Sequence, residues 1–119
     1  MTEKSPHLTI IEEESVNMVR FSDRKILEEL SIREIEDELF ALVSSTPAIK
    51  LLLNFTNVEH LSSAALGMLI NLKKEVEGKK GKLKLSNINP QIYEVFKITR
   101  LSKHFDIHEQ STDAISSFS

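Results

Sequence analysis

The chain has 119 residues, enough for one compact domain and too few for two ordinary ones. Its 15 basic and 18 acidic residues leave a formal net charge of -3, which argues against nucleic acid as the main partner. The absence of cysteine removes disulfides, thiolate metal sites and cysteine nucleophiles. No apolar run approaches the roughly 18 residues of a membrane span, and MTEKSPHLTI lacks the apolar core of a secretory signal. The expectation is a cytoplasmic protein that does not engage membranes.

Residues 1–6 are polar, end in Pro6 and are expected to fray, leaving a single domain over 7–119. His7 to Glu12 is rich in β-branched residues and predicts a strand. Glu13-Glu14-Ser15 is a polar turn, and Val16 to Phe21 predicts the second arm of a hairpin. The turn lacks the Asn-Gly or Asp-Gly pair that specifies such turns most strongly.

Beyond the charged connector Ser22-Asp23-Arg24-Lys25, Ile32, Ile35, Leu39, Leu42 and Val43 recur at helical spacing. Ser31 with Glu34 reads as a capping box, and Pro47 marks the stop. Leu51-Leu52-Leu53, continued by Phe55, is an unbroken apolar run, the pattern of a strand buried on both faces. After Thr56-Asn57 and Val58-Glu59-His60-Leu61, the pair Ser62-Ser63 opens a second helix, expected over about 63–77. Gly78 and Gly81 bracket the turn that closes it.

Lys82-Leu83-Lys84-Leu85-Ser86 alternates polar and apolar, predicting a strand with one solvated face. Its lysines, with Lys79 and Lys80, read as edge protection, with an anion-binding surface as the alternative. Asn89-Pro90 predicts an N-cap followed by proline at the first helical position, with Ile92, Val95 and Phe96 as the apolar face. Leu101, Phe105 and Ile107 fit a loop and a short strand, and 111–118 a short closing helix. The fold class is α/β: a small mixed, mostly parallel sheet opened by an N-terminal hairpin and flanked by about four helices.

Three scattered glycines cannot form a phosphate loop. His7, His60, His104 and His108 do not make a recognised metal spacing. Neither a cofactor nor a metal is expected. Ser62 or Ser63 beside His60 suggests a serine hydrolase on paper, but no glycine elbow or oxyanion hole accompanies them. The serine pair has two further readings. One is plain capping, worth about 1 kcal/mol. The other is phosphorylation, which adds about -1.5 to -2 charges where a helix N-terminus tolerates them.

The stretch LLLNFTNVEHLSSAALGMLI resembles the STAS domain family of anti-sigma factor antagonists. Members carry a buried strand ending in Asp or Asn, then Asp-Ser-Ser/Thr-Gly-Leu-Gly opening a helix. Asn54 matches the strand end and Leu66-Gly67 the final Leu-Gly. The later LKLSNINPQIYEVFKITRLSKHFDIHEQSTDAISSF is similar to the family's closing elements, so the resemblance spans about 8–118. It implies a non-enzymatic bacterial regulator of transcription that binds a serine kinase/anti-sigma factor, with the nucleotide belonging to that partner. It places Ser62 at the family's Asp, Ser63 at its first Ser and Ala64 at the usual phosphoacceptor, while Ala65 replaces the motif glycine. The expected phosphorylation sites are therefore Ser63 or Ser62, and the expected partner-facing residues are Glu59, His60, Ser62, Ser63, Ala64 and Met68. A monomer or weak dimer is expected. The alternative is a constitutive scaffold domain in which Ala64 marks a lost switch.

Overall fold

A computed structural model describes residues 2–118. The described chain forms a mixed α/β fold with four helices, as the alternation of periodicities predicts. Strands β1 (Thr2–Lys4), β2 (Leu8–Glu13), β3 (Val16–Phe21) and β4 (Lys25–Ile26) precede helix α1 (Glu29–Ser45). Strands β5 (Lys50–Asn54) and β6 (His60–Leu61), helix α2 (Ser63–Gly78), strand β7 (Lys82–Ser86) and helix α3 (Pro90–Ile98) follow. A 3-10 turn at Leu101–Lys103, strand β8 (Asp106–His108) and helix α4 (Ser111–Ser117) complete the order. The main sheet runs β1-β2-β3-β5-β7-β8, antiparallel through β3 and parallel beyond it. Strands β4 and β6 pair separately in parallel.

The frayed segment expected through residue 6 is different in the structure. Thr2–Lys4 adds an antiparallel strand to β2, with Lys4 opposite Thr9. β-Branched Thr9, Ile10 and Ile11 give the ladder a regular partner despite the polar N-terminal composition. Met1 and Ser119, which belong to the expected N-terminal tail and domain end, lie outside the described residues.

The β2–β3 hairpin closes on Glu14-Ser15, both at positive φ (52° and 69°). That backbone is what a two-residue type I′ loop requires, and neither residue favours it. The register of a strand pair buried on one face overrides the local preference. Replacing the pair by Asn-Gly (Glu14→Asn with Ser15→Gly) is expected to stabilise the protein by about 1 kcal/mol. A higher urea midpoint at unchanged slope would register it; a lower midpoint would show that the turn is not strained.

Helix α1 begins two residues before the expected Ser31 cap. Glu28 precedes it with no side-chain cap, and Ser31 lies in the first turn. The inward face is as predicted, with Ile32, Ile35, Leu39 and Val43 buried. Strand β5 is buried on both faces: Leu51 and Leu53 pack beneath α1 and α2, whereas Leu52 faces a smaller cluster with Met18, Ala114, Ile115 and Phe118. Strand β7 departs from its expected solvated face, because it lies between β5 and β8 and α4 covers it. Lys84 is buried there, its Nζ 2.6 Å from Asp106 Oδ2 and 5.0 Å from the centre of the Phe118 ring. It is a packed ion-pair residue and not edge protection; Lys79, Lys80 and Lys82 remain exposed. In the turn before β7, Lys80 takes the positive φ of 63°, and Gly81 is needed for a different reason. A Cβ at Gly81 would stand 2.6 Å from the Ile49 carbonyl oxygen.

Candidate functional site

The serine pair lies beyond the C-terminal end of β5, where a buried polar residue sets the exit of the chain. Asn54 is buried at the strand end, and its Oδ1 accepts the Thr56 N–H at 2.8 Å and the Thr56 hydroxyl. This Asx turn reverses the chain. Asn57 Nδ2 then donates to the Phe21 carbonyl (3.1 Å), and the Val58 N–H donates to the Phe55 carbonyl (3.0 Å). Asn89 ties the same loop to α3: its Oδ1 accepts the Ile92 N–H as N-cap, and its Nδ2 donates to Val58 O at 3.2 Å. The loop arriving at Ser62 is therefore held at three points.

Ser62 is the N-cap of α2, in extended conformation, with its Oγ accepting the Ala65 N–H at 3.1 Å. Its own N–H donates to the Ile26 carbonyl (3.1 Å), which anchors the helix start to β4. Ser63 and Ala64 follow at the first helical positions and are exposed. Among the described residues, the Ser63 hydroxyl makes no hydrogen bond within the chain. No acidic side chain occupies the first turn of α2, so the positive end of its dipole is uncompensated.

The other expected partner-facing residues divide. Glu59 is exposed and takes a two-pronged ion pair from Arg24, at 3.0 Å from Nε and 2.8 Å from the terminal nitrogen. His60 is exposed on β6, opposite Lys25. Met68 is a correction: at 4% exposure it belongs to the core beneath α2. It lies one turn and more beyond Ala64, on the inward side shared with Ala65, Leu69 and Leu72. His60 forms no hydrogen bond with Ser62 or Ser63 among the described residues, so the paper arrangement of a serine nucleophile and its base is not assembled. No group of three metal-ligating side chains converges among the described residues, and no helix there is long and apolar enough to cross a membrane.

Sequence periodicity missed part of this end of the molecule. Val95, expected in the core face of α3, is 42% exposed, while Ile92 and Phe96 are buried. Val95 and Gln91 line a shallow cleft of about 120 Å³ with His60, Leu61 and Leu66. Leu27, next to the Ile26 carbonyl that anchors Ser62, and Leu30 in the first turn of α1 are also exposed. Their one available signal was position: both lie off the stripe of Ile32, Ile35 and Leu39. The elements flanking the serine end thus carry the exposed apolar side chains Leu27, Leu30 and Val95.

A titrating contact braces the neighbouring connector. His7 Nδ1 lies 2.8 Å from Asp23 and Nε2 3.3 Å from Glu34 of α1. Burial acts to lower its pKa, but the hydrogen bonds and charges of the two carboxylates together raise it above 6.5. A raised folded-state pKa contributes stability that is fully present below the unfolded value. That contribution is lost as pH rises through the raised pKa. Urea titrations at steps from pH 5.5 to 8.5 should show this loss in the wild type, and a slope that is unchanged in His7→Gln would exclude the latch.

The STAS domain family profile matches residues 12–114. The fold is similar to that of an anti-sigma-factor antagonist (STAS) domain protein from Planctomyces limnophilus. The two are 18% identical with a TM-score of 0.85, over 92% of this chain and 96% of that one. An anti-sigma factor antagonist from Mycobacterium paratuberculosis is 20% identical, with a TM-score of 0.81 over 97% of each chain. The Bacillus cell fate determinant SpoIIAA in its phosphorylated form is 16% identical, with a TM-score of 0.70 over 94% of this chain and 99% of that one. The match over most of the length, with the strand-end Asn54 and the serine-capped α2 it encloses, establishes that the chain belongs to the STAS domain family.

Proposed function

We propose that this protein is an anti-sigma factor antagonist, a regulator of transcription that binds a serine kinase/anti-sigma factor through the start of α2. The docking surface comprises Glu59, His60, Ser62, Ser63 and Ala64, extended by Leu66 and Val95 on one side and Leu27 and Leu30 on the other. The observation that carries the phosphorylation reading is the unequal state of the two serines. Ser62 Oγ is committed to the Ala65 N–H, whereas Ser63 is exposed and its hydroxyl is uncommitted. Ser63 is the acceptor in this reading. Its Oγ attacks the γ-phosphorus of ATP held by the partner, the bond to the ADP oxygen breaks, and the hydroxyl proton passes to a base of the partner. This chain supplies the hydroxyl and no catalytic group, cofactor or metal. It acts in the cytoplasm as a monomer or weak dimer, without direct contact to nucleic acid or membrane.

Support also comes from the phosphorylated SpoIIAA, which shares the fold. Incubation with a candidate kinase and ATP, followed by phosphopeptide mapping, tests the assignment: phosphate on Ser63 is the expected result, and phosphate on neither serine removes the switch. A second reading rests on Ala64, which cannot accept phosphate at the position the family usually modifies. In that reading the same surface binds constitutively as a scaffold, and complex formation is insensitive to ATP. A serine hydrolase is disfavoured because His60 bonds neither hydroxyl among the described residues, and a fluorophosphonate probe should leave the native protein unlabelled.

A further inference from the structure

A cavity of about 580 Å³ lies at the other end of the sheet from Ser63, between the β1–β2 edge and α1. Its volume falls within the roughly 300–1,000 Å³ of small-molecule sites. Asn17, on its lining, pairs with Leu51 at the start of β5, whereas Ser63 follows the end of that strand. The floor is apolar, from Leu8 and Ile10 of β2, and Leu42 and Ala41 of α1 form the opposite wall.

Asn17 is only 8% exposed, yet among the described residues its side chain makes no hydrogen bond, and it lines the cavity. Its amide nitrogen and oxygen are not sealed from solvent, so they are open to a ligand that enters the cavity. Directly opposite it on β2 is Glu12, exposed and in no ion pair among the described residues. Ser45 and Thr46, at the C-terminal end of α1, close the same end of the cavity, and no basic residue occupies the last turn of that helix. The negative end of the helix dipole therefore adds to the Glu12 carboxylate and the Asn17 carbonyl oxygen.

A third acceptor, Glu38, lies on the α1 wall, with one carboxylate oxygen taken by the Ser5 hydroxyl at 2.8 Å. Lys4 is the one basic residue on the lining. It is opposite Thr9, three residues along β2 from Glu12, which is about 10 Å at strand spacing. The Glu12–Asn17 end thus carries acceptors that no ion pair occupies among the described residues, beside an apolar floor.

The geometry points to a binding site for an amphipathic organic cation, its ammonium head between Glu12 and Asn17 and its apolar body along Ile10 and Leu42. This site is separate from the α2 surface and does not depend on the proposed regulatory role. Three six-carbon probes isolate the chemistry: hexylammonium, hexanoate and hexanol, each titrated into isotope-labelled protein and followed by NMR. Hexylammonium should give saturable shifts of the Asn17 side-chain amide and of the Ile10 and Leu42 methyls, with a Kd near or below 1 mM. Hexanoate and hexanol should bind at least tenfold more weakly. Glu12→Gln, an exposed change on the rim, should weaken hexylammonium at least fivefold while leaving the remaining spectrum unaltered. Asn17→Leu should abolish the response, and its dispersed spectrum would show that the fold survives. Scattered or unsaturable shifts to 10 mM, equal binding of hexanol, or an unaffected Kd in Glu12→Gln would each overturn the assignment.

Discussion

Leu53→Ala is expected to destabilise the protein by about 3–5 kcal/mol, and Leu52→Ala by visibly less, about 2–3 kcal/mol. Both leucines are fully buried, at 0% exposure. Sequence and burial alone would therefore rank them as equals. What separates them is the layer that each meets. Leu53 points into the main core, between the sheet and the long helices α1 and α2, near the tilted Phe21–Phe55 pair whose centroids are 5.0 Å apart. That layer is held by two helices of 17 and 16 residues and cannot settle into a void. Leu52 points to the opposite face, covered by the seven-residue α4. A helix of two turns can shift inward and refill part of the space, and the cost of a truncation rises with the cavity that remains. Urea unfolding of both variants reads the difference directly. Equal costs would show that α4 is as rigid a cover as α1 and α2.

Ser63→Asp should lower affinity for the proposed anti-sigma partner by about a thousandfold while leaving thermal stability nearly unchanged. A carboxylate at the first turn of α2 meets the positive end of the dipole, worth only about 0.3–1 kcal/mol at an exposed site, so the fold is indifferent or slightly favoured. A partner that covers the position must bury the charge, at several kcal/mol, and each 1.4 kcal/mol is tenfold in affinity. Ser62→Ala should behave in the opposite way. It removes the acceptor for the Ala65 N–H and is expected to cost about 1 kcal/mol of stability, with little direct effect on charge at the interface. Calorimetric binding and thermal melts on the two variants separate the roles of the adjacent serines. Equal affinity of Ser63→Asp and wild type would count against a charge-gated surface, though it would leave the scaffold reading intact.

Much of the architecture was legible because periodicity and caps are local. The triple leucine of β5 required two covered faces, and it has them. Asn89-Pro90 specified a helix start through chemistry confined to three residues, and the Ile92 N–H bonds Asn89 as expected. Ser62 was legible as a cap for the same reason. Lys84 was not: alternation in β7 described a half-solvated strand, but the fold places that strand inside the sheet and lays α4 across it. Nothing within five residues of Lys84 announces Asp106 or Phe118.

The same division runs through the candidate sites. The amino-acid order by itself determined the α/β class and the helix that opens at Ser62-Ser63, because each depends on short-range pattern or capping, whereas Asn54 as the end of the buried strand came from the family resemblance. Only the tertiary structure decided that Ser62 is committed and Ser63 is free, that Met68 turns inward while Val95 turns out, and that Asn17 meets a cavity beside Glu12. Those outcomes depend on which elements lie against one another, and that is set by pairing and packing between residues far apart in the chain.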